Sequence, residues 1–170
     1  NRNERGFNEL RGYFIDEGGF LSSMDQPAEV SVLEQGPLFV KVAVKGKIGK
    51  YSFTQTIRLT QGEPRIDMSV KLDWIGSPRI GEPGIEFRAD NPRKSFYDDR
   101  YKLLVYLPIQ IANQQIYKDA PFDVCESRLE NTFFNRWDSI KHNIILNWVD
   151  VASKDNSCGL SLFTDHTTSY

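Results

Sequence analysis

The stretch LFVKVAVKGKIGKYSFTQTIRLTQGEPRIDMSVKLDW, residues 38–74, decides the fold of this 170-residue chain. From Leu38 to Val44 every second residue is apolar, so apolar and polar side chains lie on opposite faces of one strand. The same alternation returns over residues 51–60, and over 65–74 in its cleanest form. Glycine-containing turns separate the three segments. The stretch therefore predicts an antiparallel meander of three long strands.

Shorter strands are predicted on both sides of this meander. They cover residues 29–34, 101–107, 143–151 and 159–164, and a further short strand is predicted within 114–124. Residues 75–100 are rich in glycine, proline and charge and predict a long excursion with one short strand over 85–88, whereas 132–142 predict an ordered loop. No stretch of ten or more residues holds a convincing helical period. The predicted fold class is all-β, a sandwich of long antiparallel strands that forms one domain over residues 1–170.

Composition excludes several classes of function. The formal net charge of −2 gives no reason to expect nucleic acid or an anionic membrane surface as a partner. The chain has no apolar run of transmembrane length and no signal peptide at its start. We therefore expect a soluble protein whose compartment stays open, with the cytoplasm favoured. Because the chain begins without Met and stops directly after an apolar stretch, both ends are expected to lie within a longer protein.

The two cysteines, Cys125 and Cys158, form no CxxC pair and have no metal-ligand spacing. A disulfide is possible, but free buried thiols are the favoured prediction. No metal or cofactor site is predicted within this chain.

No complete active site is predicted from the polar residues. Asp165 and His166 are adjacent, so their side chains point to opposite faces of an extended segment, and His142 is predicted to be solvated. A glycosidase needs two facing carboxylates, and no spacing here selects such a pair. Asp67 and Asp73 are predicted to form ion pairs with Arg65 or Lys71. Nucleophile-elbow, phosphate-loop, dinucleotide and zinc-protease motifs are absent.

Aromatic residues near basic ones are the remaining candidates. Phe96, Tyr97 and Tyr101 lie among arginines and lysines, where their rings could stack on a sugar or pack against another domain. Both readings stay open. The residues predicted to lie near carbohydrate are Tyr97, Trp137, Asp165 and His166.

Several segments together resemble the C-terminal β region of glycoside hydrolase family 38 α-mannosidases. The segments are NEL (8–10), VLEQGPL (32–38), FTQTIRLT (53–60), RID (65–67), DW (73–74), APFDV (120–124) with Glu126 and Arg128, NWVDV (147–151) and GLSLFTD (159–165). No single motif is highly specific, but their ordered combination is.

The resemblance implies a galactose-mutarotase-like supersandwich, of which this chain is a part. It also implies that zinc and the catalytic carboxylates belong to an N-terminal α/β catalytic domain of the same polypeptide. In that family the β region packs on this domain and helps complete the carbohydrate cleft. The chain alone is therefore expected to be inactive.

Two other hypotheses remain. The chain could be a stand-alone carbohydrate-binding module that uses aromatics such as Tyr97 or Trp137. It could also be a purely structural domain that forms a homo-oligomer through exposed apolar patches.

Overall fold

The computed structural model describes residues 5–81, 101–127, 144–165 and 168–169, and the regular elements within them are β-strands. In chain order they are β1 (Glu9–Phe14), β2 (Gly19–Ser22), β3 (Glu29–Gln35), β4 (Phe39–Ile48), β5 (Tyr51–Thr60), β6 (Ile66–Asp73), β7 (Leu104–Tyr106), β8 (Gln114–Ala120), β9 (Asp123–Glu126), β10 (Ile144–Ile145), β11 (Trp148–Ser153), β12 (Gly159–Phe163) and β13 (Thr168–Ser169). All observed pairings are antiparallel. The predicted all-β class is confirmed.

The strands fall into two compact units. The first contains β1 to β7, and the second contains β8 to β13. That residues 1–170 act as one domain stays a prediction.

The meander predicted from residues 38–74 forms the centre of the first unit. Strands β3, β4, β5 and β6 make a four-stranded sheet in sequence order. The observed bounds of β5 and β6 lie within one residue of the predicted ones, whereas β4 runs from Phe39 to Ile48 and so continues four residues beyond the predicted alternation, which ends at Val44. The edge strand β3 carries a bulge between Val32 and Glu34, where its register with β4 shifts.

A second sheet of the first unit, in the order β2-β1-β7, covers one end of this meander. The β1–β2 hairpin was not predicted. Its residues Leu10 and Phe14 form a buried cluster with Ile48, Tyr51 and Phe53 of the meander. The rings of Phe14 and Tyr51 stack with centroids 5.3 Å apart. The cluster is the hydrophobic core of the first unit.

Glycine at position 46 is required by this core. Gly46 pairs across the sheet with Phe53, and a Cβ at this position would lie 2.8 Å from the Phe53 ring. Because the ring is buried and cannot move aside, only a residue without a side chain fits.

The second unit contains a four-stranded sheet in the order β12-β11-β8-β9 and the short pair β10–β13. The short strand predicted within 114–124 is confirmed as β8, and the chain then reverses at Pro121 and Phe122 into β9, which was not predicted. Phe122 has a φ of 69°, as at the third residue of a type II turn with proline before it, a position that usually takes glycine or asparagine.

Some other sequence predictions need correction, and others concern residues outside the described part of the chain. The strand predicted over 101–107 is confined to β7, and the one over 143–151 is split into β10 and β11. Cys125 and Cys158 are free, as predicted, but Cys158 is exposed and Cys125 only half-buried. The strand predicted over 85–88 and the loop over 132–142 lie outside the described residues. No described segment forms a helix that could span a bilayer.

Candidate functional site

Most of the predicted carbohydrate-proximal residues lie outside the described part of the chain. This holds for Tyr97, Trp137 and His166, and also for His142. Asp165 is described and lies exposed just after β12. That these residues lie near carbohydrate stays a prediction.

The ion pairs predicted along β6 are confirmed. Arg65 Nε lies 2.9 Å from Asp67 Oδ1, and Lys71 Nζ lies 3.0 Å from Asp73 Oδ1. Each carboxylate faces a cation on its own strand segment, as expected for an exposed polar face.

Tyr101 belongs to a ring cluster of the first unit. Its centroid lies 5.2 Å from that of Tyr13 and 5.4 Å from that of Phe20. The Arg11 guanidinium lies over the Phe20 ring at 4.7 Å. The described contacts of Tyr101 are therefore ring packing within its own unit, which is neither of the two predicted alternatives, and both of those stay predictions.

One half of an apolar sheet face forms an exposed candidate surface in the first unit. Strand alternation and register place Val30, Val32, Val42, Ile57, Leu59, Ile66, Met68 and Val70 on the same side of β3–β6, and we call this set the far apolar face. Its outer members are strongly exposed, with 67% for Val30, 59% for Val32 and 51% for Ile66. A contiguous apolar surface of this kind marks an interaction site.

Only the other half of this face is covered within the first unit. Tyr51 and Phe53 are buried beneath β1, with exposed fractions of 1% and 3%. The sheet residues are of similar type in both halves, so the long-range packing of β1 decides which half stays open.

An amide pair marks the border between the two halves. Gln55 is the polar residue on the apolar side of β5 and is 4% exposed. Its Nε2 donates to the backbone oxygen of Asn8 at 3.0 Å and to Asn8 Oδ1 at 3.1 Å. Asn8 Nδ2 donates in return to Gln55 Oε1 at 3.0 Å. This pairing satisfies a polar group that would otherwise be costly to bury.

Asp119 holds the turn between β10 and β11 in the second unit. Its carboxylate accepts from the backbone amides of Leu146, Asn147 and Trp148 at 2.8–3.2 Å, and from Asn147 Nδ2 at 2.8 Å. Partial desolvation raises the pKa of Asp119, but these donors outweigh it and lower the pKa below its ordinary value. The carboxylate thus accepts hydrogen bonds from backbone amides that, in a continuous strand, would bond to a neighbouring strand.

Asp155 organises the β11–β12 turn. Its Oδ1 accepts from the Ser153 hydroxyl at 2.6 Å and from the Ser157 hydroxyl at 2.9 Å. The Ser153 hydroxyl first, and then the hydroxyl and amide of Ser157, lower the pKa of Asp155 from 3.8 to about 2. The charged form is favoured because all three donors point at it.

We expect Asp155 to make the stability of this turn depend on acid. A carboxylate whose folded pKa is depressed stabilises the fold above its ordinary pKa of 3.8, and this contribution is lost as the pH falls toward about 2. Carbon-detected NMR titration of the carboxyl group should return the low pKa. The Ser157→Ala variant should raise it, whereas Ser161→Ala, which removes a hydroxyl bonded to Asp150, should not. An ordinary pKa in the unmodified chain would contradict the assignment.

The described residues hold no group of three or more His, Cys, Asp or Glu side chains placed to bind a metal ion. The sequence analysis did not predict that Asp119 binds the amides of the β10–β11 turn. It also did not predict that the apolar face is divided into a covered and an open half. Strand alternation identified the apolar face itself, but no sequence signal distinguished its open half.

Comparison with known proteins gives one match. The model of the family described as "Glycosyl hydrolases family 38 C-terminal domain" matches residues 13–170. No curated protein and no solved structure matches the chain.

Proposed function

The chain belongs to glycosyl hydrolase family 38 as its C-terminal domain, and from this we propose that it is a non-catalytic β-sandwich domain of an α-mannosidase. In this proposal it packs on the zinc-dependent N-terminal catalytic domain of the same polypeptide and helps shape the carbohydrate cleft. Zinc would be held by that other domain, and the residues of this chain would support the cleft.

The exposed far apolar face carries the proposal. Val30, Val32 and Ile66 are each more than half exposed although they lie on a long, regular sheet. Burying such side chains against another domain gains about 25 cal/mol per Å² of apolar surface. A covering domain within the same polypeptide would gain this without the entropic cost of bringing two molecules together.

The state of the carboxylates supports a non-catalytic role. Hydrolysis of a glycosidic bond uses a proton-donating acid and a second carboxylate facing it across the substrate. Asp16, Asp119 and Asp155 are each held by donors of the protein itself. Such carboxylates organise turns and strand ends, so we expect no turnover by this chain alone.

The test uses the complete polypeptide and the isolated chain. Replacing Val30 and Val32 together with lysine should lower the thermal inactivation temperature of the complete polypeptide and its hydrolysis of an aryl α-mannoside. The matched control is Ser31→Lys, which lies between them on the opposite face. Turnover of the aryl α-mannoside by the isolated chain would refute the non-catalytic role. Equal effects of the double variant and the control variant would refute the interface with the catalytic domain. If the complete polypeptide instead forms concentration-dependent dimers and the double variant abolishes them, the face is assigned to self-association.

A further inference from the structure

Strand β6 is an edge of the β3-β4-β5-β6 sheet in the part of the chain that the structure describes. Its neighbour β5 pairs with it in unbroken register over all eight of its residues. Along its other side, β6 bonds to no described strand. A regular edge of this kind is a template to which a further strand can add.

The sheet determines which residues of β6 direct their backbone groups outward. The amide of Gln61, directly after β5, donates to the Leu38 oxygen on the β4 side at 2.8 Å. Because backbone groups alternate in direction along a strand, odd-numbered residues of β5 bond to β4 and even-numbered ones bond to β6. Each even-numbered residue of β5 lies opposite an odd-numbered residue of β6. The residues of β6 whose amides and carbonyls turn outward are therefore the even-numbered ones, Ile66, Met68, Val70 and Leu72.

The charges along this edge are self-complementary. From Arg65 to Asp73 the sequence is RIDMSVKLD, with Ser69 at its centre. The polar side carries, in order, a cation, an anion, a hydroxyl, a cation and an anion. The four charged side chains are between 44% and 77% exposed. Read in the opposite direction, the same segment has the opposite charge at every charged position, so an antiparallel copy of it is its electrostatic complement.

Pairing two antiparallel copies about Ser69 brings each charge opposite its complement. Arg65 then faces Asp73 of the second copy. Asp67 likewise faces Lys71 of the second copy. Each carboxylate already bonds to a cation of its own chain, at 2.9 Å and 3.0 Å, so the pairing joins four charges into one network on each side of Ser69. Opposite charges directly across antiparallel strands stabilise their pairing, and like charges destabilise it.

Other registers are disfavoured by the same side chains. A shift by two residues in one direction would bring Asp67 opposite Asp73, and a shift in the other direction would bring Arg65 opposite Lys71. A shift by one residue would set the apolar side of one copy against the polar side of the other. In the register about Ser69 the apolar side also matches, with Ile66 opposite Leu72 and Met68 opposite Val70.

We propose that two copies of this chain pair through β6, antiparallel and about a twofold axis at Ser69, and thereby join their four-stranded sheets into one. The opposite edge strand, β3, offers no such match, because its charged residues Glu29 and Glu34 are both acidic. This sheet therefore accepts a second copy at one edge only, and the symmetric pairing closes at the dimer. The inference goes beyond the proposed function, which concerns the face of the sheet and not its edge.

Sedimentation equilibrium of the 170-residue chain tests the dimer. We expect reversible association with a dissociation constant of about 1–100 μM, because a pair of strand edges forms a small interface. Asp67→Lys and Lys71→Asp should each weaken self-association by about tenfold or more, since each introduces two like-charge pairs into the symmetric dimer. The matched control is Lys47→Asp, an equal charge reversal at an exposed position of the inner strand β4, which should leave the association unchanged.

Mixing the two edge variants separates charge recognition from damage to the fold. At the two substituted positions one variant then carries only cations and the other only anions. The mixture should form a heterodimer with an affinity close to that of the unmodified chain, although neither variant associates well alone. A loss of folding in either variant would not allow this recovery.

A cysteine at the axis tests the register. In a background where both native cysteines are replaced by serine, Ser69→Cys should form a disulfide-linked dimer on mild oxidation. The Cα atoms of directly opposite residues in a non-hydrogen-bonded pair lie about 4.5 Å apart, which is within the range of a disulfide. Thr56→Cys, opposite Ser69 on the inner strand β5, should not cross-link.

Three results would each overturn the inference. The first is an unmodified chain that stays monomeric at about 0.1 mM. The second is self-association that neither edge reversal weakens. The third is a mixture of the two reversals that associates no better than each variant alone. The proposed domain role is judged separately, by the activity and thermal inactivation of the complete polypeptide.

Discussion

Replacing Phe14 with alanine is expected to destabilise the first unit by about 3–5 kcal/mol, the range for deleting a buried aromatic ring from a core. Phe14 is fully buried, and its ring stacks on Tyr51 and lies 6.5 Å from the Trp74 ring. The small core has few neighbours that could close the cavity. Since whole domains are stable by only about 5–15 kcal/mol, the variant should be close to unfolding.

Urea denaturation followed by near-ultraviolet circular dichroism measures this loss. Phe7→Ala is the matched control, because Phe7 lies in the same unit and is 57% exposed. We expect the control to change the free energy of unfolding by less than about 1 kcal/mol. A similarly small change in Phe14→Ala would mean that β1 does not hold the core together.

Replacing Gln55 with alanine is the second large effect, with an expected loss of about 2–3 kcal/mol. The substitution removes three hydrogen bonds and leaves the Asn8 amide and backbone oxygen without these partners at the edge of the core. A polar group that is left without a hydrogen bond in such a place destabilises the fold by more than a formed hydrogen bond stabilises it.

A double-mutant cycle with Asn8→Gly isolates the pair. Glycine is the appropriate replacement because Asn8 has a φ of 64°, which glycine adopts without strain. We expect a coupling energy of about 1–2 kcal/mol between the two positions, as for residues in one hydrogen-bond network. Strictly additive losses in the denaturation midpoints would show that the two amides act independently.

The meander was predictable because a single local rule governs it. Residues 38–74 alternate with a period of two, and a slip by one residue would move every apolar side chain to the solvent face. The observed β4, β5 and β6 therefore lie where the alternation places them.

The elements that were missed depend on contacts that are distant in sequence or on unusual backbone. Asp119 interrupts the strand predicted over 143–151, because its carboxylate binds amides of that stretch that are 27 to 29 residues later in the sequence. Phe122 occupies a turn position where sequence rules expect glycine or asparagine. Apolar and polar residues alternate only weakly along β1 and β2, so the sequence pattern does not predict this hairpin. In the structure, Leu10 and Phe14 of β1 are buried against the meander.

The candidate site was less predictable than the fold. The sequence places apolar residues along the whole meander, but only the packing of β1 reveals that the half bearing Val30 and Val32 is open.

The bulge in β3 has a consequence for solubility. β3 is an edge of its sheet, and an exposed apolar edge invites strand addition by another molecule, the first step of aggregation. The register shift between Val32 and Glu34 interrupts the even ladder that an incoming strand would need, and Glu29 and Glu34 place charge along the same edge. The fold can therefore leave the far apolar face exposed for a partner while its β3 edge resists strand addition and polymerisation.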